Sequence, residues 1–335
     1  MEPEVQNYAT SGCGSLRSGE ARLLAECFDD SETWPFLLMK NLNEAVDGEA
    51  AVWVTNSGLN GLHSEHHVMH AKYLLPTLPR IDYMIVYAGT NDVGYWLRHD
   101  DLDPHYLDSP PKWNGRVGES FCESSFVSPT EDWFRHFELW KLGTKAKARL
   151  ATWRTLEGST KENGAIVRDT RVRWLERKQL KRKNRRKVKI PAAKRATLPA
   201  ALDSYAANLR SIIDIARQQG TEPIFMSQAV LGRALSPDER KRLWMGAVDG
   251  GKAYVFHTER LDILEQYNDR MRNVAEAHGV LFLDLPSHLN TLKKAFYDDC
   301  HLNEYGCRET ARFVAQRIRP HLQRLSHADE NLKRH

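Results

Sequence analysis

The sequence predicts an α/β protein built in three layers, α/β/α, around a parallel central sheet. Two observations predict it. Short apolar runs alternate with longer stretches of helical periodicity, and each run stops at a turn rich in Asn or Gly. The runs are also too uniformly apolar for a sheet with one wet face, so helices must cover both.

The strands are Ala51-Val52-Trp53-Val54, Tyr83-Met84-Ile85-Val86-Tyr87, Pro223-Ile224-Phe225-Met226 and Val280-Leu281-Phe282-Leu283, rich in β-branched and aromatic residues. Helical patterns run over Trp34 to Leu42, Ser64 to Leu78, Leu198 to Gln219, Leu261 to Ala277 and Glu304 to Leu325. Ligands of such sheets bind where loops leave the carboxyl ends of strands, and the turns Asn56 to Gly61 and Gly89 to Asp92 fall there.

The stretch from Leu97 to Pro199 breaks the alternation. It opens with a Pro/Asp/Ser-rich loop, Asp100 to Pro129, and continues as basic, largely helical sequence from Trp133 to Arg195. It reads as an insertion, 97–199, within one domain spanning 1–335, with a polar tail over 326–335.

With 335 residues, 41% of them hydrophobic, the chain can bury a substantial core. No run approaches the roughly 18 apolar residues of a membrane-spanning helix, and the opening MEPEVQNYATSGCGS lacks a signal-peptide core. A cytoplasmic protein is expected. The five cysteines are scattered and never spaced as C-x-x-C, which argues against a disulfide framework or a zinc knuckle.

The net charge of +4 is unevenly spread. Arg171 to Arg195 holds 13 Lys and Arg against one acid, Glu176, so the other 310 residues carry −8. Such a run is either a solvated helix or loop, or a site at 171–195 for an anionic partner such as nucleic acid or lipid. Trp174 is its single aromatic residue, too little for a base-stacking platform.

Three local patterns bear on chemistry. The Asn56 to Gly61 turn carries glycines that let backbone N–H groups face a bound oxygen, although strand-to-helix turns commonly contain glycine. Asn91 offers an amide donor, or an Asx cap for its own turn. Asp298 and His301 are three apart before the last helix, so the carboxylate can fix the imidazole tautomer while the other nitrogen faces a nucleophile; an exposed helix-start histidine is the alternative.

His63, His66, His67 and His70 cluster at a helix start. His66 and His70 have a chelating i, i+4 spacing, but with Glu65 as the only nearby carboxylate a hydrated helix face is expected and no metal. Cys300 and Cys307 flank His301; Cys307 reads as a small buried residue of the last helix.

Together, Trp34-Pro35-x-x-Leu38, Asn56-x-Gly58-x-x-Gly61, Gly89-x-Asn91-Asp92 and Asp298-x-x-His301-Leu302-Asn303-x-x-Gly306 resemble the SGNH (GDSL-like) hydrolases in order and spacing. The resemblance implies a flavodoxin-like sheet and hydrolysis of an ester by serine acyl transfer, on a small-molecule, carbohydrate or lipid substrate, with no cofactor. Position by position, it makes His301 the general base, Asp298 its orienting partner, and the Gly61 N–H and Asn91 amide the oxyanion donors.

The departure lies in the nucleophile. The family's serine sits in a Gly-Asp-Ser or Gly-Gly-Ser-Thr-Thr turn after the first strand, shortly before the Trp-Pro pair, and here Gly19 to Phe28 contains no serine. Ser11, Ser15, Ser18 and Ser31 are the nearest hydroxyls, and Ser15, in Cys13-Gly14-Ser15, is the best imitation. Yet Val5 to Thr10 reads as too polar for a central strand before it. Gly19 to Leu24, if encoded GGG GAG GCT CGA CTA CTG, yields Gly-Gly-Ser-Thr-Thr from the third base; a frame error repaired near Ala25 would explain the departure, and the coding DNA decides it. Without a nucleophile, the alternative is an impaired, ester-binding relative.

Overall fold

The computed structural model describes residues 6–11, 30–44, 52–58, 61–78, 80–99 and 175–332. Five strands make the central sheet: β1 (Gln6–Ser11), β2 (Val52–Asn56), β3 (Tyr83–Ala88), β5 (Glu222–Ser227) and β8 (Leu281–Leu283). All pair in parallel, in the order β2-β1-β3-β5-β8. This is the flavodoxin-like order, in which the chain starts inside the sheet and winds outward both ways.

The four expected strands are present, each within two residues of its expected limits. The first strand corrects the sequence reading. Gln6–Ser11 pairs with β2 on one side (Gln6 with Val52) and β3 on the other (Tyr8 with Tyr83). Its backbone is satisfied by two ladders at once, so pairing rather than an apolar run defines it.

Successive residues of β3 point to opposite faces and enter two cores. Met84, Val86 and Ala88 pack with α2 (Ser64–Met69), α3 (Thr90–Arg98), α6 (Leu198–Gln218) and α8 (His257–His278). Tyr83, Ile85 and Tyr87 pack with α1 (Trp34–Asn43), α9 (Leu285–Leu289) and α10 (Glu304–Leu332). The three layers follow from that alternation.

The described part of the 97–199 stretch holds a helix over residues 175–183 (α4), strand β4 (Arg186–Val188) and helix α5 (Ala192–Ala196). β4 adds to β7 (Ala253–Val255), which pairs with β6 (Ala247–Val248), in a small second sheet ordered β4-β7-β6. Most Lys and Arg of the described part of the basic run are exposed, as a solvated face expects, and Arg182 is the exception. Arg182 is 8% exposed, with its Nε donating to the Met245 carbonyl at 3.1 Å. One short helix completes the set, α7 (Pro237–Lys241), closed by a capping box between Ser236 and Glu239. No helix among the described residues is long and apolar enough to cross a membrane.

Candidate active site

The segment before α10 folds back on itself. Phe296 and Leu302 form an antiparallel bridge, Tyr297 N donates to the His301 carbonyl at 3.1 Å, and Asn303 N to the Ala295 carbonyl at 3.0 Å. The first turn of α10 then packs against Ala295 so closely that a Cβ on Gly306 would lie 2.2 Å from the Ala295 oxygen. Only glycine fits there, which gives a physical reason for the Gly306 of the sequence pattern.

Inside this fold-back, Asp298 is fully buried and accepts from four donors. His301 Nδ1 lies 2.8 Å from Oδ2, Trp244 Nε1 donates to the same oxygen at 2.9 Å, and the Cys300 and His301 amides donate to Oδ1 at 3.0 and 2.9 Å. Burial alone would raise the Asp298 pKa, but the His301 charge and these donors hold it below the ordinary carboxylate value. Burial would likewise depress His301; the Asp298 charge outweighs it and raises the imidazole well above its usual value. With Nδ1 engaged, Nε2 is the nitrogen left to take a proton. The ring lies parallel to Tyr297 (centroids 5.5 Å) and Trp244 (6.2 Å).

The two glycine-bearing turns meet one another. Gly61, at φ 80°, and Gly89, at φ 140°, take conformations that side-chain-bearing residues avoid. Asn91 Nδ2 donates to the Leu62 carbonyl at 2.8 Å, binding the turn that carries Gly61 to the start of α3. Asp92 serves the neighbouring helix: its Oδ1 accepts from Ser64 N at 2.8 Å, and Asn208 Nδ2 holds the Ser64 hydroxyl at 2.9 Å. Burial raises the Asp92 pKa to about 6 despite the Ser64 hydrogen bonds. Asp92, Ser64, Tyr205 and Asn208 line a cavity of about 20 Å³, and among the described residues neither Asp92 Oδ2 nor the Tyr205 hydroxyl has a hydrogen-bond partner.

Sequence reasoning missed the side chains that join these parts. Arg260, from α8, donates to Thr90 Oγ1 and to Asp299 Oδ1, both at 3.1 Å. Thr90 precedes Asn91 and Asp299 follows Asp298, so one buried guanidinium touches both the amide turn and the base segment. Asp299 stands in the Asp298-Asp299 doublet and was visible as such; Arg260 and Trp244 carry no local signal.

The histidine cluster is a second correction. His63, His66, His67 and His70 are all buried where α2 packs beneath α6, not spread on a hydrated face. His66 Nδ1 accepts from His63 N at 3.2 Å, a capping contact rather than a chelating one. Burial, then the neighbouring His66, His67, Arg98 and His99, lowers His63 to about 2; burial alone lowers His70 to about 4. Burial therefore keeps His63, His67 and His70 neutral, and among the described residues neither ring nitrogen of His67 has a hydrogen-bond partner.

Among the described residues, one trio of metal-capable side chains has its donor atoms within 4.8 Å: Asp298, Cys300 and His301. Its shortest approach is the 2.8 Å Asp298–His301 contact, the distance of a shared proton, and both carboxylate oxygens already accept N–H donors. Cys300 Sγ, 3.9 Å from Nδ1, approaches the nitrogen that Asp298 occupies, and burial raises its thiol pKa. Cys300 and Cys307 are both buried, and neither forms a disulfide among the described residues. Ser15 and the window Gly19 to Phe28 lie outside the described residues.

No family model matches the chain, and no curated protein matches it. The solved structures to which it is similar include Axe2, an acetylxylan esterase from Geobacillus stearothermophilus, at 14% identity over 94% of this chain and 95% of that one, with a TM-score of 0.45. An aryl esterase of M. smegmatis is 12% identical over 94% and 99%, also at 0.45. TesA is 12% identical over 94% and 99%, at 0.43. At such scores, no site residue and no substrate is taken from them.

Proposed function

We propose that the chain is an SGNH-type esterase that cleaves its substrate by serine acyl transfer. The observation that carries the reading is the contact of His301 Nδ1 with the fully buried Asp298 carboxylate, which leaves Nε2 as proton acceptor. A serine hydroxyl attacks the ester carbonyl as His301 Nε2 takes its proton. The tetrahedral oxyanion is met by the Gly61 N–H and the Asn91 amide, each such donor being worth about 3 kcal/mol in the transition state. Collapse breaks the C–O bond, and His301 returns the proton to the departing alcohol. Water, deprotonated by His301 in turn, then frees the acid and regenerates the serine.

Ser15 is the serine we assign. β1 supplies the central strand whose absence from the sequence reading weakened it, and Ser15 follows the strand's last residue, Ser11, by four positions. We propose an acyl ester of a carbohydrate or lipid as substrate.

A fluorophosphonate probe tests the assignment, because it labels only an activated serine. Ser15 is expected to carry the adduct, and His301→Ala to prevent it while the chain stays folded. A chain that takes no label fits the second reading, favoured by the serine-free window Gly19 to Phe28: a relative that holds esters without cleaving them.

A further inference from the structure

We propose that Trp244 is a positioning residue for the Asp298–His301 pair, and that the buried Asp299–Arg260 ion pair holds it in place. As a role within the acid–base machinery, the inference rests on the esterase reading. Trp244 lies between α7 and β6, 54 residues before the carboxylate it touches. Its Nε1–H donates at 2.9 Å to Asp298 Oδ2, the same oxygen that His301 Nδ1 approaches at 2.8 Å. An indole N–H can only donate. Unlike a water, it cannot turn round to offer the imidazole a competing acceptor.

The backbone of Trp244 is held as firmly as its ring. The amides of Trp244 and Met245 both donate to Asp299 Oδ2, while Asp299 Oδ1 takes Arg260 Nη2 at 3.1 Å. The Asp299 and Arg260 side chains are 0% and 3% exposed. Two adjacent carboxylates therefore grip one residue from its two ends, Asp298 by the indole and Asp299 by the main chain. Because Arg260 also donates to Thr90 Oγ1, the grip extends to the residue before Asn91.

The consequence is electrostatic. Sharing Oδ2 between two N–H donors disperses the charge that Asp298 directs at His301, so the indole restrains the basicity that the carboxylate confers. Among the described residues, the other charged or titratable groups around the pair include Cys300 and Tyr297 beside His301, Asp299 and Arg260 behind Asp298 with Arg182 and His257 acting on both, and Lys178 over the Trp244 ring at 6.0 Å.

The test is Trp244→Phe, which keeps a ring and removes the donor. Histidine NMR titration, with His301 assigned by its loss in His301→Gln, should show the imidazole pKa rising by about one unit, the scale of one hydrogen bond to a charged group. The acid limb of p-nitrophenyl acetate hydrolysis should move up with it, at nearly constant KM. In the unmutated chain, the indole resonance lost in Trp244→Phe should shift as His301 titrates. This measurement needs no variant to fold well. A His301 pKa that is unchanged or lower in folded Trp244→Phe, or an indole signal indifferent to the titration, overturns the proposal. NMR needs no turnover, so a chain that cleaves no ester but shows both responses keeps the positioning role and loses the esterase reading.

Discussion

In the proposed mechanism only a neutral imidazole can take the serine proton, so the Asp298–His301 contact would set how hydrolysis depends on pH. The raised His301 pKa places the half-point of kcat/KM above the ordinary histidine value of about 6.5, with activity climbing as pH rises through it. Asp298→Asn should lower the rate by about 10⁴-fold and bring the half-point down, since the charge that raises it is gone. Initial rates across the range would show both, and a half-point below 6 in the native chain would contradict the geometry. The pair also stabilises the fold within a window. The depressed Asp298 contributes above its unfolded pKa and loses that as pH falls; the raised His301 contributes below its unfolded pKa and loses that as pH rises, so the joint contribution is fullest from about 4 to 6.5. Gly306→Ala should cost about 1–3 kcal/mol in urea unfolding, because the added carbon meets a carbonyl rather than a flexible side chain. Asp298, His301 and Gly306 span nine positions, which is why sequence spacing revealed them. Arg260 and Trp244 reach the same place from 39 and 54 residues away, and no local pattern records such a distance.

The elements whose nature the sequence hid are those whose surroundings override their composition. α2 reads as polar because four of the eight residues from His63 to His70 are histidine, yet it lies beneath α6 with all four buried, and burial lowers the pKa of His63, His67 and His70. β1 reads as polar because it contains Gln6, Asn7, Thr10 and Ser11, yet it is paired on both sides. α2 also owes its anchoring to Asp92, whose burial as a carboxylate is unfavourable. A pKa raised to about 6 means that the folded state holds its proton more tightly than the unfolded chain, so stability is lost between about 4 and 6 as pH rises, on the order of 3 kcal/mol in all. Asp92→Asn keeps an oxygen for Ser64 N and removes the charge. Its stability relative to the native chain should be more favourable at pH 8 than at pH 4, and thermal melts giving the same difference at both would refute the account.

Across the whole molecule, the alternation of apolar runs and helical periods made the layered parallel architecture legible, and the observed strand order agrees with it. What the alternation could not give was the small β4-β7-β6 sheet, whose strands are two or three residues long, below the length at which a period is readable. The main sheet carries the stability. Phe225, 0% exposed at the middle of β5 and facing the core under α6 and α8, should cost about 3–5 kcal/mol when changed to Ala, read as a fall in the urea midpoint at unchanged slope.

The position of β1 has a consequence in time as well as space. Residues 6–11 pair with partners 46 and 75 positions further along, so seating this strand closes two long loops at once, and only the β3–β5 pairing of Tyr83 with Glu222 spans more of the chain. Loop closure of that length is slow and comes with late, cooperative contacts. A refolding chain can build the fold-back around Asp298 and His301 from neighbouring residues early, yet it regains a continuous sheet only when its first strand slots between two others. Recovery of ester hydrolysis should thus lag recovery of helical signal, making turnover a clock for the docking of β1 between β2 and β3.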